Sequence, residues 1–285
     1  MDLQHRHLHA NRSLHTHRAV TAAAIAVLLL TVGTASAQVS VEVSPLRVEL
    51  TAGPGSTTTQ GITVSNAGTE PLRVRAIATD WDLSRDGAPQ FESAVEGGPY
   101  SATSWIRVAP PEQVIEPGKN TIVRFSLSVP ADVTPGGYRT GVLFEFGSAT
   151  ASPLARGRQV MFKSRIATLI YVSVGQPPMA AELTDLSVKT LGPQTNVIAV
   201  VKNSSRRYVR TRGNLILFDQ SGRNVREVPV PDVPLLPESE REVSITVIDA
   251  DKHLVVDPGS YRVELRMDVG LPALLVGETT LNVVR

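Results

Sequence analysis

The chain has 285 residues, a formal net charge of +1 and no cysteine. A near-neutral balance offers nucleic acid no strongly basic face, and without cysteine there are no disulfides and no thiolate-built metal sites. All but one of the six histidines precede residue 18, so His253, in the polar stretch Asp249-Ala250-Asp251-Lys252-His253, is the one imidazole left for metal binding or hydrolysis and reads as a solvated loop residue.

Residues 1–37 are predicted to be a secretory signal. Arg6, Arg12 and Arg18 give a basic n-region, Ala19 to Val32 is an apolar run, and Ala35-Ser36-Ala37 is the small-x-small pattern cleaved by signal peptidase. The run is shorter than the roughly 20 residues of a spanning helix. Cleavage after Ala37 would leave Gln38 first in a periplasmic or secreted chain with no stable membrane span; the other reading is an uncleaved anchor.

From Val39 onward the pattern is period 2. Val39, Val41 and Val43 take odd positions, whereas Leu46, Val48 and Leu50 take even ones. The phase flips at Ser44-Pro45, where proline cannot donate to a ladder, and such a strand can pair first with one sheet and then with another. Further on, Val123, Phe125, Leu127 and Val129 alternate with polar residues, as do Val243, Ile245 and Val247, then Tyr261, Val263, Leu265, Met267 and Val269. Each such run is a strand with one face in a core and one in water. Turn signals such as Gly53-Pro54-Gly55, Asp86-Gly87 and Pro135-Gly136-Gly137 separate them. The expected fold is all-β: two tandem immunoglobulin-like β-sandwich domains, residues 38–175 and 180–285, joined by a linker at 176–179.

The halves echo each other. Asn66-Ala67-Gly68 is answered by Asn203-Ser204-Ser205, Ile115-Glu116-Pro117-Gly118 by Leu236-Pro237-Glu238, and Pro135-Gly136-Gly137-Tyr138-Arg139 by Pro258-Gly259-Ser260-Tyr261-Arg262. In the last pair a tyrosine follows a Pro-Gly turn and can pin it through its hydroxyl.

Two constellations invite a site reading. Asp80-Trp81-Asp82-Leu83-Ser84-Arg85-Asp86-Gly87 spaces oxygens as a calcium loop does, but it lacks glycine at the sixth position and has Phe91 where the bidentate glutamate belongs. A hairpin at Asp86-Gly87 is the simpler expectation. Lys202, Arg206, Arg207, Arg210 and Arg212 form a basic cluster, expected to be a charged edge strand that resists edge-to-edge pairing. No phosphate loop or nucleophile elbow is present, and no cofactor is expected.

One ordered series has a family likeness. Val43-Ser44-Pro45-Leu46-Arg47-Val48, Ser104-Trp105-Ile106-Arg107-Val108, Gly137-Tyr138-Arg139 and Lys163-Ser164-Arg165-Ile166-Ala167, in this order, resemble the N-terminal domain of the periplasmic pilus-assembly chaperones, the PapD-like family, over roughly residues 39–174. The resemblance implies a non-enzymatic chaperone that lends a strand to pilin-like secreted subunits and works with an outer-membrane usher. It also implies that Arg47 and Arg165, the latter where the family usually has lysine, anchor a subunit's terminal carboxylate. The lending strand would be the stretch before Arg165, where Val160, Met161 and Phe162 are the apolar residues available. The competing reading is a structural or adhesive surface protein built on the same sandwiches.

Overall fold

In the computed structural model the described residues are 40–92, 94–148, 164–249, 251 and 256–284. The signal segment, Val160, Met161, Phe162 and His253 lie outside them.

The first sandwich comprises β1 (Val41–Ser44), β2 (Arg47–Ala52), β3 (Thr57–Asn66), β4 (Leu72–Thr79), β5 (Asp82–Leu83), β6 (Pro89–Gln90), β7 (Ile106–Ala109), β8 (Glu112–Ile115), β9 (Asn120–Ser128), β10 (Gly136–Ser148) and β11 (Ser164–Val174). One sheet runs β1-β3-β9-β7 and the facing sheet β2-β11-β10-β4-β8. The phase flip has its expected meaning. Before Pro45 the chain pairs with β3, and after it with β11 in the other sheet. Leu46 does not join the apolar row; at the crossing between sheets it is exposed. The inward residues of both sheets, among them Ile62, Phe125, Leu127, Val142, Phe144 and Ile170, form one fully buried core.

The second sandwich comprises β12 (Ala181–Leu191), β13 (Gln194–Asn203), β14 (Val209–Arg210), β15 (Arg212–Phe218), β16 (Asn224–Pro229), β17 (Pro234–Leu235), β18 (Ser239–Asp249), β19 (Gly259–Asp268) and β20 (Leu275–Val283). Its sheets are β12-β13-β18 and β16-β15-β19-β20, with a small β14-β17 ladder. Tyr261, Val263, Leu265, Met267 and Val269 all face its core, as their alternation predicts. Among the described residues no sheet draws strands from both sandwiches, and Val39–Arg285 nonetheless form one compact unit.

A third apolar cluster explains that compactness. Trp81, Tyr171 and Leu236 are buried together, with Leu169 and Tyr208 against them. Trp81 meets Tyr171 edge-on at 5.0 Å, Tyr208 stacks on Tyr171 at 4.5 Å, and the Trp81 indole donates to the Thr140 carbonyl at 2.6 Å. Buried aromatic pairs of this kind add about 1 kcal/mol beyond their area. Main-chain bonds join the sandwiches as well. The Gly137 amide donates to Arg206 O at 2.7 Å and the Glu242 amide to Arg85 O at 2.8 Å. Arg85 lies on the β5-β6 hairpin and also pairs with Glu240 at 2.8 Å. The hairpin turns at Gly87, whose φ of 90° is one a side chain resists, and the bare glycine lets the Arg241 guanidinium close against it.

Candidate functional site

The sequence-predicted arginines lie on the outward face of the five-stranded sheet. Arg47 opens β2, which runs parallel to β11 with Arg47 opposite Leu169. Arg165 is the second residue of β11, four positions before Leu169. Both side chains share a face, because residues separated by an even number alternate to the same side. At about 3.3 Å per residue, however, they are offset by about 13 Å along the strands. The two therefore do not meet at one point.

Each guanidinium already has a carboxylate. Arg47 Nε lies 3.3 Å from Glu49 Oε1. Arg165 sits across the ladder from Glu145 and pairs with it at 2.9 Å. Both arginine side chains remain about half exposed, at 52% and 51%, so these pairs are weak and readily exchanged for a better partner.

The more informative feature is main-chain. Pairing between β2 and β11 begins at Arg47 and Leu169, and the last bonds from the incoming chain are Leu169 N–H to Leu46 O at 2.9 Å and the Thr168 hydroxyl to Pro45 O at 2.8 Å. Upstream, Ser164 to Ala167 are paired with β10 on one side. Among the described residues no strand covers their other side. In sequence, Val160, Met161 and Phe162 precede this edge and lie outside the described residues. An edge of unpaired N–H and C=O groups is the template for adding a strand from another chain, and Ile166 on it packs part-buried against the core.

Sequence reasoning missed the network that surrounds Arg47. Glu49 Oε1 accepts from the Tyr208 hydroxyl at 2.9 Å and from Arg210 Nη1 at 3.3 Å, in addition to the Arg47 pair. Arg210 also pairs with Asp232 at 2.6 Å and is only 11% exposed. The basic cluster is thus no single edge strand. Lys202 lies on β13, central in its sheet, and pairs with Glu182 at 3.4 Å. Arg206 covers the Tyr100 ring at 5.0 Å, and Arg210 is folded into the joint. The cluster divides because the turn after Asn203 and β14 face the first sandwich, a relation that charge spacing does not encode. Burial pushes the Tyr171 hydroxyl up to about 12, although Arg210 and Arg241 pull the other way, and burial likewise raises that of Tyr208.

The Asp80–Gly87 stretch is a hairpin and its oxygens are spent separately. Asp80 accepts from the Ser101 hydroxyl at 2.5 Å, the Thr103 hydroxyl at 2.7 Å and the Gly97 amide at 2.9 Å. Burial would raise its carboxyl, but these bonds and Arg139 together hold it below the ordinary value. Asp82 pairs with Arg139 at 2.8 Å, and Asp86 accepts from Ser84. Among the described residues no group of acidic side chains is gathered to hold a metal, and no helix is long and apolar enough to cross a membrane.

No family model matches the chain, and no curated protein does. Solved structures that it is similar to include PapD-like fimbrial chaperones. The class 5 fimbriae chaperone CfaA is 12% identical over 84% of this chain and 98% of its own, with a TM-score of 0.43. The Pseudomonas aeruginosa CupB2 chaperone is 15% identical over 85% and 100%, at 0.40. The complex of the Salmonella enterica SafA pilin with the SafB chaperone gives 14% identity over 87% and 99%, at 0.41.

Proposed function

We propose that this chain is a non-enzymatic chaperone or assembly factor that acts outside the cytoplasm and holds pilin-like secreted subunits by lending them a strand. The observation that carries the reading is the edge of β11 from Ser164 to Ala167, left open among the described residues; in sequence it follows the apolar residues Val160, Met161 and Phe162. A subunit sandwich that lacks one strand gains a full set of main-chain bonds there, and alternate side chains of the lent strand supply its missing core. Arg165, beside the edge, and Arg47, beyond it, are the cations offered to a client carboxylate. Glu145 and Glu49 hold them until then, and their 13 Å offset by strand rise means that one carboxylate engages one arginine at a time. An outer-membrane usher is the partner to which such a complex would be handed.

The test is a pull-down of the chain from its native envelope, beside an Arg47→Ala/Arg165→Ala variant and a Val160→Asp/Phe162→Asp variant. Small secreted β-rich subunits should accompany the wild type, diminish with the arginine variant and vanish with the aspartate variant. Equal profiles for all three would instead favour the structural or adhesive reading, which the existing Arg47–Glu49 and Arg165–Glu145 pairs suit.

A further inference from the structure

A cavity of about 170 Å³ lies at the joint between the sandwiches, below the roughly 300 Å³ at which sites for drug-sized molecules begin. Its floor is the end of the five-stranded sheet. Thr51 on β2 lies opposite Ser173 on β11, and Ser173 lies opposite Gly137 on β10. Their neighbours Leu50, Val172 and Val174 pack into the core. By strand alternation Thr51 and Ser173 therefore turn outward, and a strand spacing of about 4.8 Å sets the two side chains next to each other. Gly137 adds no side chain beside them. Arg207 and Tyr208 close the cavity from the second sandwich, and Gln176, just after the turn at Gly175 with its φ of 63°, closes it from the linker.

The lining is chemically one-sided. Among the described residues the side chains of Thr51, Ser173, Gln176 and Arg207 make no hydrogen bond and no ion pair, whereas Arg47, Arg139, Arg165 and Arg210 each hold a carboxylate. Ser173 and Arg207 are part-buried, yet none of their polar atoms is shut off from solvent. Their donors stay open to a small molecule. Among the described residues no carboxylate lines the cavity. Glu49, two residues before Thr51 on β2, is already engaged by Arg47, the Tyr208 hydroxyl and Arg210.

One guanidinium, two hydroxyls and a carboxamide, with no acid among them, suit an anion. A guanidinium offers a fork of parallel N–H bonds, which carboxylate and phosphate oxygens both accept. A carboxylate has two oxygens and the fork takes both, whereas a tetrahedral oxyanion keeps further oxygens for donors on another side. Here the hydroxyls supply those donors from the floor. We infer that the cavity binds a small tetrahedral oxyanion, inorganic phosphate or the phosphate of a monoester, held by Arg207 from the second sandwich and by Thr51 and Ser173 from the first, with Gln176 donating from the linker. A bound anion ties the two sandwiches together at their joint. This goes beyond strand lending and uses none of the residues assigned to it.

The test is titration of the isotopically labelled chain with sodium phosphate at constant ionic strength, followed through its amide resonances. Saturable one-to-one shifts are expected at Thr51, Ser173, Gly175, Gln176 and Arg207, and acetate should bind about tenfold more weakly. The same shifts with glycerol 3-phosphate would extend the site to phosphorylated headgroups and sugars, and a response to inorganic phosphate alone would assign it to the free ion. Arg207→Gln should weaken phosphate about tenfold or more, and Arg207→Lys, Thr51→Val and Ser173→Ala about three- to tenfold each. Phosphate should raise the unfolding temperature of the wild type more than that of Arg207→Gln, because exclusion from the protein surface stabilises both alike. Absence of saturable shifts, shifts scattered over the surface, equal binding of acetate, or an Arg207→Gln isotherm like that of the wild type would each overturn the assignment. No client subunit enters this titration, so failure here and failure of strand lending are read separately.

Discussion

Asn66 and Asn203 make the same hydrogen bonds in the two sandwiches. In each case Nδ2 donates to the carbonyl four residues on, Glu70 or Arg207, at 2.8 Å. It also donates across the sandwich to Ile115 O at 2.9 Å or Leu236 O at 2.8 Å. Oδ1 accepts the amide two residues on, Gly68 or Ser205, at 3.0 Å. Tyr138 and Tyr261 match in the same way, each hydroxyl donating at 2.7 Å to the carbonyl four residues back. Short motif echoes therefore stand for a shared locking geometry, and the two sandwiches are related units in tandem.

Replacing either asparagine by alanine should cost about 2–4 kcal/mol, because two buried carbonyls and an amide lose their partner together. Urea unfolding followed by circular dichroism checks the size. Hydrogen exchange checks the place: Asn203→Ala should loosen β13 and β18 first and Asn66→Ala β3 and β9.

Tyr138→Phe and Tyr261→Phe remove one hydroxyl bond each and keep the ring. About 1 kcal/mol apiece is expected. The double variant should lose the sum, since the two sites share no partner.

The joint should fail in alkali. Tyr171 holds its proton in the folded chain up to about pH 12, against an ordinary tyrosine value of 10.0. Unfolded chains release that proton first, so the contribution is complete below pH 10, declines between 10 and 12, and is gone above. Two units amount to about 3 kcal/mol. Denaturant midpoints measured from pH 8 to 12 should fall in that window, and Tyr171→Phe should flatten the fall.

Gly137→Ala addresses the joint sterically. A β-carbon there would lie 2.6 Å from the Tyr208 amide nitrogen and from its Cβ, so Tyr208 must retreat from its stack on Tyr171. In a Trp105→Phe background, Trp81 emission should shift to the red as the cluster opens, while the circular dichroism of the strands stays close to wild type. An unshifted spectrum would mean that the joint absorbs the methyl.

Much of this was legible in one dimension. The flip at Ser44-Pro45 announced a strand shared between sheets, and alternation placed Tyr261 to Val269 and Val123 to Val129 inside. Alternation reports two faces, however, not what covers the second one. Tyr171, Tyr208 and Arg210 occupy positions that read as solvent-facing, and the covering surface is the other sandwich. The offset of Arg47 from Arg165 was hidden for a related reason. Where β2 begins against β11 is fixed by the Leu46 and Pro45 carbonyls, and side-chain pattern carries no record of register between distant strands.

β10 is a single rod with both of the chain's affairs at its ends. Near its start the Gly137 amide is bonded to Arg206 O of the second sandwich, and towards its end Glu145 and Phe146 pair with Arg165 and Ser164. The strand that supports the open edge is thus also the strand bonded to the second sandwich, and six to nine of its residues, about 20–30 Å, separate the two.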